Sequence, residues 1–198
     1  MKKRFILAIT GASGSVYAVK VLEAMLKAGH EVHLLASKNG EKVLAYETGS
    51  NLKQVVAQAR SLAMPEASLI LHDNANLFAP VASGSFPVDG MAVVPCSMAT
   101  LGGIASGSLG SLIGRAADVC IKERKPLVLV PRETPLSVVH LQNMLRLDQA
   151  GAVILPAMPA FYGRPATLED LVAFMAGKIL DALKIPNSLT VQWKDEKS

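Results

Sequence analysis

Six short apolar runs recur along the chain and alternate with segments of helical periodicity. The runs lie at residues 5–9, 32–36, 68–71, 91–94, 127–130 and 152–155, and the helical segments at 16–28, 40–46, 52–62, 100–106, 109–123, 137–147 and 168–183. Most runs are continuous rather than alternating, which is typical of parallel strands buried on both faces. The pattern predicts a single α/β domain with a three-layer, doubly wound, mostly parallel sheet, Rossmann or flavodoxin-like.

The last residues differ in composition from the rest. We assign residues 1–185 to the α/β domain and residues 186–198, which turn polar, to a C-terminal tail with Trp193 as its one hydrophobic anchor. The start, MKKRFILAITGASG, superficially resembles a signal peptide. Its apolar stretch is short and runs directly into a glycine-containing turn, so we interpret it as the first strand.

The chain is rich in apolar residues, which make up 51% of its 198 residues. No apolar run reaches the roughly 20 residues that a membrane span requires, so we expect no membrane segment and instead a buried interface between identical subunits. The net charge of +4 is mild and forms no dense basic stripe. This favours small anionic ligands over nucleic acid.

The two cysteines, Cys96 and Cys120, have neither the spacing of a metal site nor the number of a disulfide framework. We therefore expect no metal. A reducing compartment fits such cysteines, so we predict a cytoplasmic location.

The turn after the first apolar run has the composition of an anion site. Thr10 ends the run, GASGS follows at residues 11–15, and a helical pattern begins. Free N–H groups at a helix start attract phosphate. The glycines do not match G-x-G-x-x-G, and the second strand ends in Ser37 and Lys38 rather than an acid. A mononucleotide phosphate therefore fits better than NAD, with a turn that holds no ligand as the alternative.

Other strand ends carry polar residues at the edge where α/β sheets bind ligands. Ser97 and Thr100 follow the fourth run, where they would either cap a helix or contact a ligand. Two polar turns side by side suit a flavin mononucleotide. Arg132 and Glu133 directly follow the fifth run, and we expect this charged pair to face the cleft.

Several segments together resemble the UbiX-type flavin prenyltransferase family over nearly the whole chain: ITGASG, SGS, PCSMATL, RAADVCIKERKPLVLVPRE, HLQNML and GAVILPAMPAFY. The resemblance implies a metal-independent transferase. Such an enzyme joins the dimethylallyl group of dimethylallyl phosphate to reduced FMN at N5 and C6. The product, prenylated FMN, serves a UbiD-type decarboxylase. The family usually forms a homododecamer with its active sites where subunits meet.

The resemblance also implies roles for individual residues. Those matching FMN contacts are Gly11, Ala12, Ser13, Ser37, Ser97, Met98, Ala99, Thr100 and Arg132. Those assigned to dimethylallyl phosphate are Tyr162, Lys178, Lys122, Arg115 and Glu133. The candidates for catalysis are Glu133, Lys122, Ser13, Glu47 and Arg115.

Two positions depart from the family pattern. Lys178 stands where an arginine is common, which keeps the charge but loses the two-pronged grip on phosphate. Leu77 stands where some members place a tryptophan, and Trp193 lies where some members have a C-terminal tryptophan. We expect Lys178 and Leu77 to affect how the prenyl donor is held and not to remove the chemistry.

The implied reaction must break an allylic C–O bond without a metal. We predict that Lys122, Arg115 and Lys178 stabilise the departing phosphate, with a hydrogen bond from the Tyr162 hydroxyl. Glu133 is the candidate for proton transfer, and Ser13 for orienting the N5 region.

Two alternatives remain at this point. An FMN-dependent cysteine-type decarboxylase would carry P-x-M-N-x-x-M-W and a catalytic histidine, whereas this chain reads PAMPAFYG and its histidines lack a clear catalytic setting. A non-catalytic FMN carrier subunit would have no need of Lys122, Glu133 and Tyr162, yet all three are present.

Overall fold

A computed structural model describes residues 1–108 and 110–189. Within them, the strands are β1 (Arg4–Ile9), β2 (Glu31–Ala36), β3 (Ser68–His72), β4 (Gly90–Cys96), β5 (Leu127–Pro131) and β6 (Val153–Ile154). The helices are α1 (Ser15–Lys27), α2 (Lys38–Thr48), α3 (Leu52–Ser61), α4 (Met98–Ser106), α5 (Leu112–Lys122), α6 (Val138–Gln149) and α7 (Leu168–Ala182), with a short 3₁₀ helix at Pro80–Ala82. Every predicted strand and helix has a counterpart.

The six strands form one sheet in the order β3-β2-β1-β4-β5-β6, and every neighbouring pair is parallel. The chain first builds outward from β1 to β3, then returns to the other side of β1 with β4. Strand order therefore reverses between β1 and β4. In such sheets, ligands bind beyond the carboxyl ends of the strands at this point.

Apolar cores cover both faces of the sheet. Phe5, Leu7 and Ile9 of β1 pack with α1, α3 and α7 on one face, whereas Ile6 and Ala8 pack with α4 and α5 on the other. Successive strand residues point to opposite faces, so a strand covered on both sides must be apolar throughout. This explains the continuous apolar runs and confirms the predicted three-layer fold.

Local signals set the ends of helices. Helix α2 is longer than its predicted range because Ser37 caps its start, accepting the N–H of Gly40 at 3.0 Å, and Gly49 ends it in the left-handed conformation. Helix α5 begins after Ser111, which accepts the N–H of Gly114. The predicted start of α5 at Leu109 lies outside the described residues. No described helix is both long and apolar enough to cross a bilayer.

The first residues of the predicted tail pack against the domain. Ile185 is buried, Asn187 bonds to Asp181 at 2.8 Å, and Leu189 is partly buried against the core. The rest of the predicted tail, including Trp193, lies outside the described residues.

An ion-pair group on β1 and β2 predicts how stability depends on pH. Glu31 accepts hydrogen bonds from Arg4 and from His33, the latter at 3.0 Å. The Arg4 bond is the main cause that lowers the Glu31 pKa from 4.5 to about 2. Ionised Glu31 therefore stabilises the fold fully above pH 4.5, and this stabilisation is lost as the pH falls through about 2.

We expect Glu31→Gln to lower the free energy of unfolding by about 2 kcal/mol at pH 7, because a charged hydrogen-bond acceptor is lost. The difference from wild type should shrink between pH 4.5 and pH 2, where the wild-type carboxylate becomes protonated. Urea unfolding of both proteins at four pH values measures this. A difference that stays constant across that range would contradict the assignment.

Candidate active site

The turn after β1 is held by a carboxylate of the chain itself. Glu47, near the end of α2, accepts the N–H of Gly14 at 3.1 Å and that of Ser15 at 2.8 Å. Burial opposes ionisation of Glu47, but hydrogen bonds from Ser13, Ser15 and Gly14 outweigh it and lower the Glu47 pKa. Part of the predicted anion site at the start of α1 is thus taken by an internal anion.

This arrangement refines the prediction for the first turn. A phosphate at the N–H groups of Gly14 and Ser15 would compete with Glu47. These two N–H groups therefore fix the conformation of the turn and are not free to bind a ligand. From its local sequence alone, Glu47 resembles a surface acid. The structure instead places it beside Ser13, whose side chain donates a hydrogen bond to it.

The turn after β4 lies beside the first one, across the point where strand order reverses. Ser97 caps α4: its hydroxyl accepts the N–H of Thr100 at 3.3 Å and lies 3.1 Å from the Thr100 hydroxyl. Ser37 caps α2 in the same way. The capping interpretation of Ser97 is therefore correct. It does not exclude ligand contact, because the Thr100 hydroxyl, which accepts a hydrogen bond from Ser97, still has its own hydrogen to donate.

Glycines let the first turn, the end of β1 and the start of α2 pack closely against one another. A Cβ at Gly11 would lie 2.7 Å from the Cβ of Asn39, and one at Gly40 would lie 2.5 Å from the carbonyl oxygen of Ile9. Gly14 has φ +110°, which side chains rarely tolerate. Helix starts with N–H donors and hydroxyl groups at one sheet edge fit a mononucleotide such as FMN.

Arg132 and Glu133 follow β5 and are exposed. Glu133 accepts the N–H of Thr134 at 3.1 Å. Arg132 is close enough to Tyr17 to affect its ionisation: burial raises the Tyr17 pKa above 10, Arg132 opposes this, and Glu47 adds to it. Tyr17 therefore lies near both Arg132 and Glu47. No role is predicted for it from the sequence.

Arg115 and Lys122 lie along α5, and both contact the loop around residues 83–85, which carries the SGS motif. Arg115 donates to the carbonyl of Ala82 at 3.0 Å and pairs with Asp118 at 2.7 Å. Lys122 pairs with Glu123, and both of these side chains border Gly84. Arg115 and Lys122, seven residues apart, therefore lie on one face of α5.

Tyr162 and Lys178 lie at helix α7, away from α5. Tyr162 packs edge-on against Phe174 of α7, with ring centroids 5.9 Å apart, and lines a cavity of about 310 Å³. Lys178 is exposed on α7, whose buried residues Ile179 and Leu180 belong to the core opposite to that of α5.

Within one chain, therefore, the side chains assigned to dimethylallyl phosphate do not all lie in one place. Lys122 ends α5 and precedes β5, whereas Glu133 follows β5. Five extended residues span about 13 Å or more, so these two side chains start at opposite ends of that strand. Lys178 projects from the other helical layer. A site containing all of them needs more than one subunit.

Comparisons with known proteins identify the family of this chain. A family model described as Flavoprotein matches residues 1–180. The flavin prenyltransferase UbiX of Halalkalibacterium halodurans is 43% identical, covering 98% of this chain and 94% of the relative.

Two solved structures are similar throughout. AnUbiX (PadA1), solved in complex with FMN and dimethylallyl pyrophosphate, is 44% identical with a TM-score of 0.91 and full coverage of both chains. A dodecameric FMN-dependent UbiX-like decarboxylase from Escherichia coli O157:H7 is 41% identical with a TM-score of 0.88, covering 96% of this chain and 99% of that one. The chain belongs to the flavoprotein family and, within it, to the UbiX flavin prenyltransferases, as the sequence resemblance predicted.

Proposed function

We propose that this chain is a flavin prenyltransferase that joins the dimethylallyl group of dimethylallyl phosphate to reduced FMN at N5 and C6. The observation that carries the proposal is the meeting of two polar turns at the β1–β4 reversal, with Arg132 nearby, in a member of this family. A relative solved with FMN and dimethylallyl pyrophosphate supports both ligand classes.

FMN would be held by the two turns. The candidates are Gly11, Ala12, Ser13, Ser37, Ser97, Met98, Ala99, Thr100 and Arg132. Because Glu47 takes the N–H groups of Gly14 and Ser15, we place the FMN phosphate at the capped helix starts of α2 and α4 rather than at α1. Reduced FMN supplies the electron-rich N5 and C6 atoms to which the prenyl carbons become attached.

The remaining candidates act on the prenyl donor. Lys122, Arg115 and Lys178 stabilise charge on the departing phosphate oxygens, as fixed cations do in place of a metal. The Tyr162 hydroxyl donates to the same phosphate. The bond to C6 requires that the prenyl alkene gain a proton and that C6 lose one, and Glu133, aided by the released phosphate, transfers these protons. Ser13, which donates to Glu47, orients the N5 region.

We propose that these groups meet in a homo-oligomer, with twelve subunits as in the E. coli relative. The separation of Lys122, Glu133 and Lys178 in one chain supports shared sites. We further propose a cytoplasmic enzyme, consistent with the free, buried thiols of Cys96 and Cys120, and a UbiD-type decarboxylase as recipient of the product.

The two alternatives are not favoured. The Halalkalibacterium halodurans relative, 43% identical, is a flavin prenyltransferase. The histidines have structural partners: His140 takes part in the capping of α6 by accepting the N–H of Ser137 at 3.3 Å, and His33 bonds to His72 at 2.7 Å. None of these contacts prepares a catalytic base for a cysteine-type substrate.

Anaerobic incubation of the oligomer with reduced FMN and dimethylallyl phosphate, followed by mass spectrometry of the flavin, tests the function. We expect a flavin heavier by one five-carbon prenyl group, with lower yield when dimethylallyl pyrophosphate replaces the monophosphate. Unchanged flavin with both donors would refute the proposal. Release of CO₂ from a cysteine-ended peptide would identify the decarboxylase alternative instead.

A further inference from the structure

Thr10, the residue between β1 and the first turn, is a polar side chain in a fully buried position. Its hydroxyl donates to the carbonyl of Pro95 at 2.8 Å and accepts the N–H of Ser97 at 2.8 Å. Its backbone N–H also donates to the Pro95 carbonyl, at 3.2 Å. One residue at the end of β1 thus makes three hydrogen bonds to the end of β4.

The regular pairing of the two strands stops before this point. The β1–β4 register ends at Ala8 opposite Val93, and the β4–β5 register shifts between Val93 and Cys96. Pro95, within that irregular stretch, has no N–H to offer a ladder. The Thr10 side chain therefore replaces the missing ladder bonds where β4 becomes irregular.

We propose that Thr10 is a positioning residue that sets the distance between the two FMN-binding turns. Gly11 follows it directly, and the Ser97 N–H it accepts belongs to the N-cap residue of α4. Both turns are FMN contacts in the proposed function, on which this inference rests. The buried Thr10 hydroxyl both donates a hydrogen bond and accepts one, so it holds the two turns in a fixed relation to each other.

Thr10→Val removes the hydroxyl while keeping the shape of the side chain. It leaves a carbonyl and an N–H without their side-chain partner, so we expect the two turns to shift apart. The dissociation constant for FMN should rise about tenfold or more, since small misplacements are costly in a preorganised site. The KM for dimethylallyl phosphate should change less than twofold, because its predicted contacts lie on other elements.

Two further variants separate positioning from general stability. Thr10→Ser keeps both hydrogen bonds and loses a buried methyl group, so it should lose stability yet bind FMN within about threefold of wild type. Asn51→Ala removes the cap of α3, away from both turns, and should lower the melting temperature without changing FMN affinity. If Thr10→Val does not fold, Thr10→Cys offers a weaker donor in the same place, with a smaller but measurable loss of affinity.

FMN affinity is measured by fluorescence titration of the intact oligomer, and product by mass spectrometry. Thr10→Val with wild-type affinity, or Thr10→Ser as weak as Thr10→Val, would overturn the positioning role. Wild-type protein that binds FMN without making product would refute the proposed function, and the affinities would still decide the role of Thr10. Wild-type protein that does not bind FMN would refute both.

Discussion

Replacing Glu133 by glutamine is expected to reduce the rate of prenylated FMN formation by about 100- to 10,000-fold, the usual contribution of a positioned proton-transfer group. The amide cannot accept and release a proton, but it keeps the size of the side chain and an oxygen for the N–H of Thr134, 3.1 Å away in the wild type. FMN affinity should therefore stay within about twofold. Anaerobic single-turnover kinetics with FMN titration measure both quantities.

A matched change tests whether loss of any carboxylate has this effect. Glu23→Gln removes a carboxylate of α1 that is 4.0 Å from Lys27, outside the candidate site, and should leave the rate unchanged. A Glu133→Gln enzyme with wild-type turnover would remove Glu133 from the mechanism. Lost FMN binding would instead show that Glu133 holds the flavin.

A charge on the exposed face of α6 is expected to split the oligomer and to lower product formation at least 100-fold. Val138, Leu141 and Leu145 are 68%, 51% and 57% exposed, and their spacing places them on one side of the helix. An apolar stripe of this kind marks an interface. Leu141→Asp would force a carboxylate into that interface, which is costly without a partner.

Activity should fall with assembly because one chain separates Lys122 from Glu133 and Lys178. Sedimentation and product assays on the same sample measure the two effects together. Met64→Asp is the control, since Met64 is also exposed but follows α3, away from α6. Leu141→Asp that stays assembled would exclude this face. A dissociated, fully active protein would show that one chain is sufficient.

Much of the fold follows from local sequence. Strands buried on both faces must be apolar at every position, so residues such as Phe5, Ile6 and Leu7 identify β1 without further information. Ser97 marks a helix start because a side-chain oxygen is needed there for a free N–H. The polar residues after the strands were predictable as a set, since parallel strands end at one edge.

Parts of the candidate site were not predictable in this way. Tyr17 and Thr10 gave only weak signals: Thr10 is the hydroxyl residue that ends an apolar run, and Tyr17 lies in the first turn of a helix. The proline at position 95 indicates that a ladder hydrogen bond is missing there, and a nearby hydroxyl could replace it. The sequence does not indicate which hydroxyl residue does so. Lys122 and Glu133 were assigned to one site, although the predicted fifth strand already lies between them. What the sequence could not show is that Lys178 lies in the helical layer opposite to that of α5.

The sequence by itself determined the strands, the helices, the layer architecture and the family, because these depend on periodicity, capping and motifs within short segments. Only the tertiary structure decided that Glu47 holds Gly14, 33 residues away, and that Thr10 holds Pro95, 85 residues away. The physical reason is that a hydrogen bond needs its two groups within about 3 Å. Strand order, rather than distance along the chain, brings those groups together.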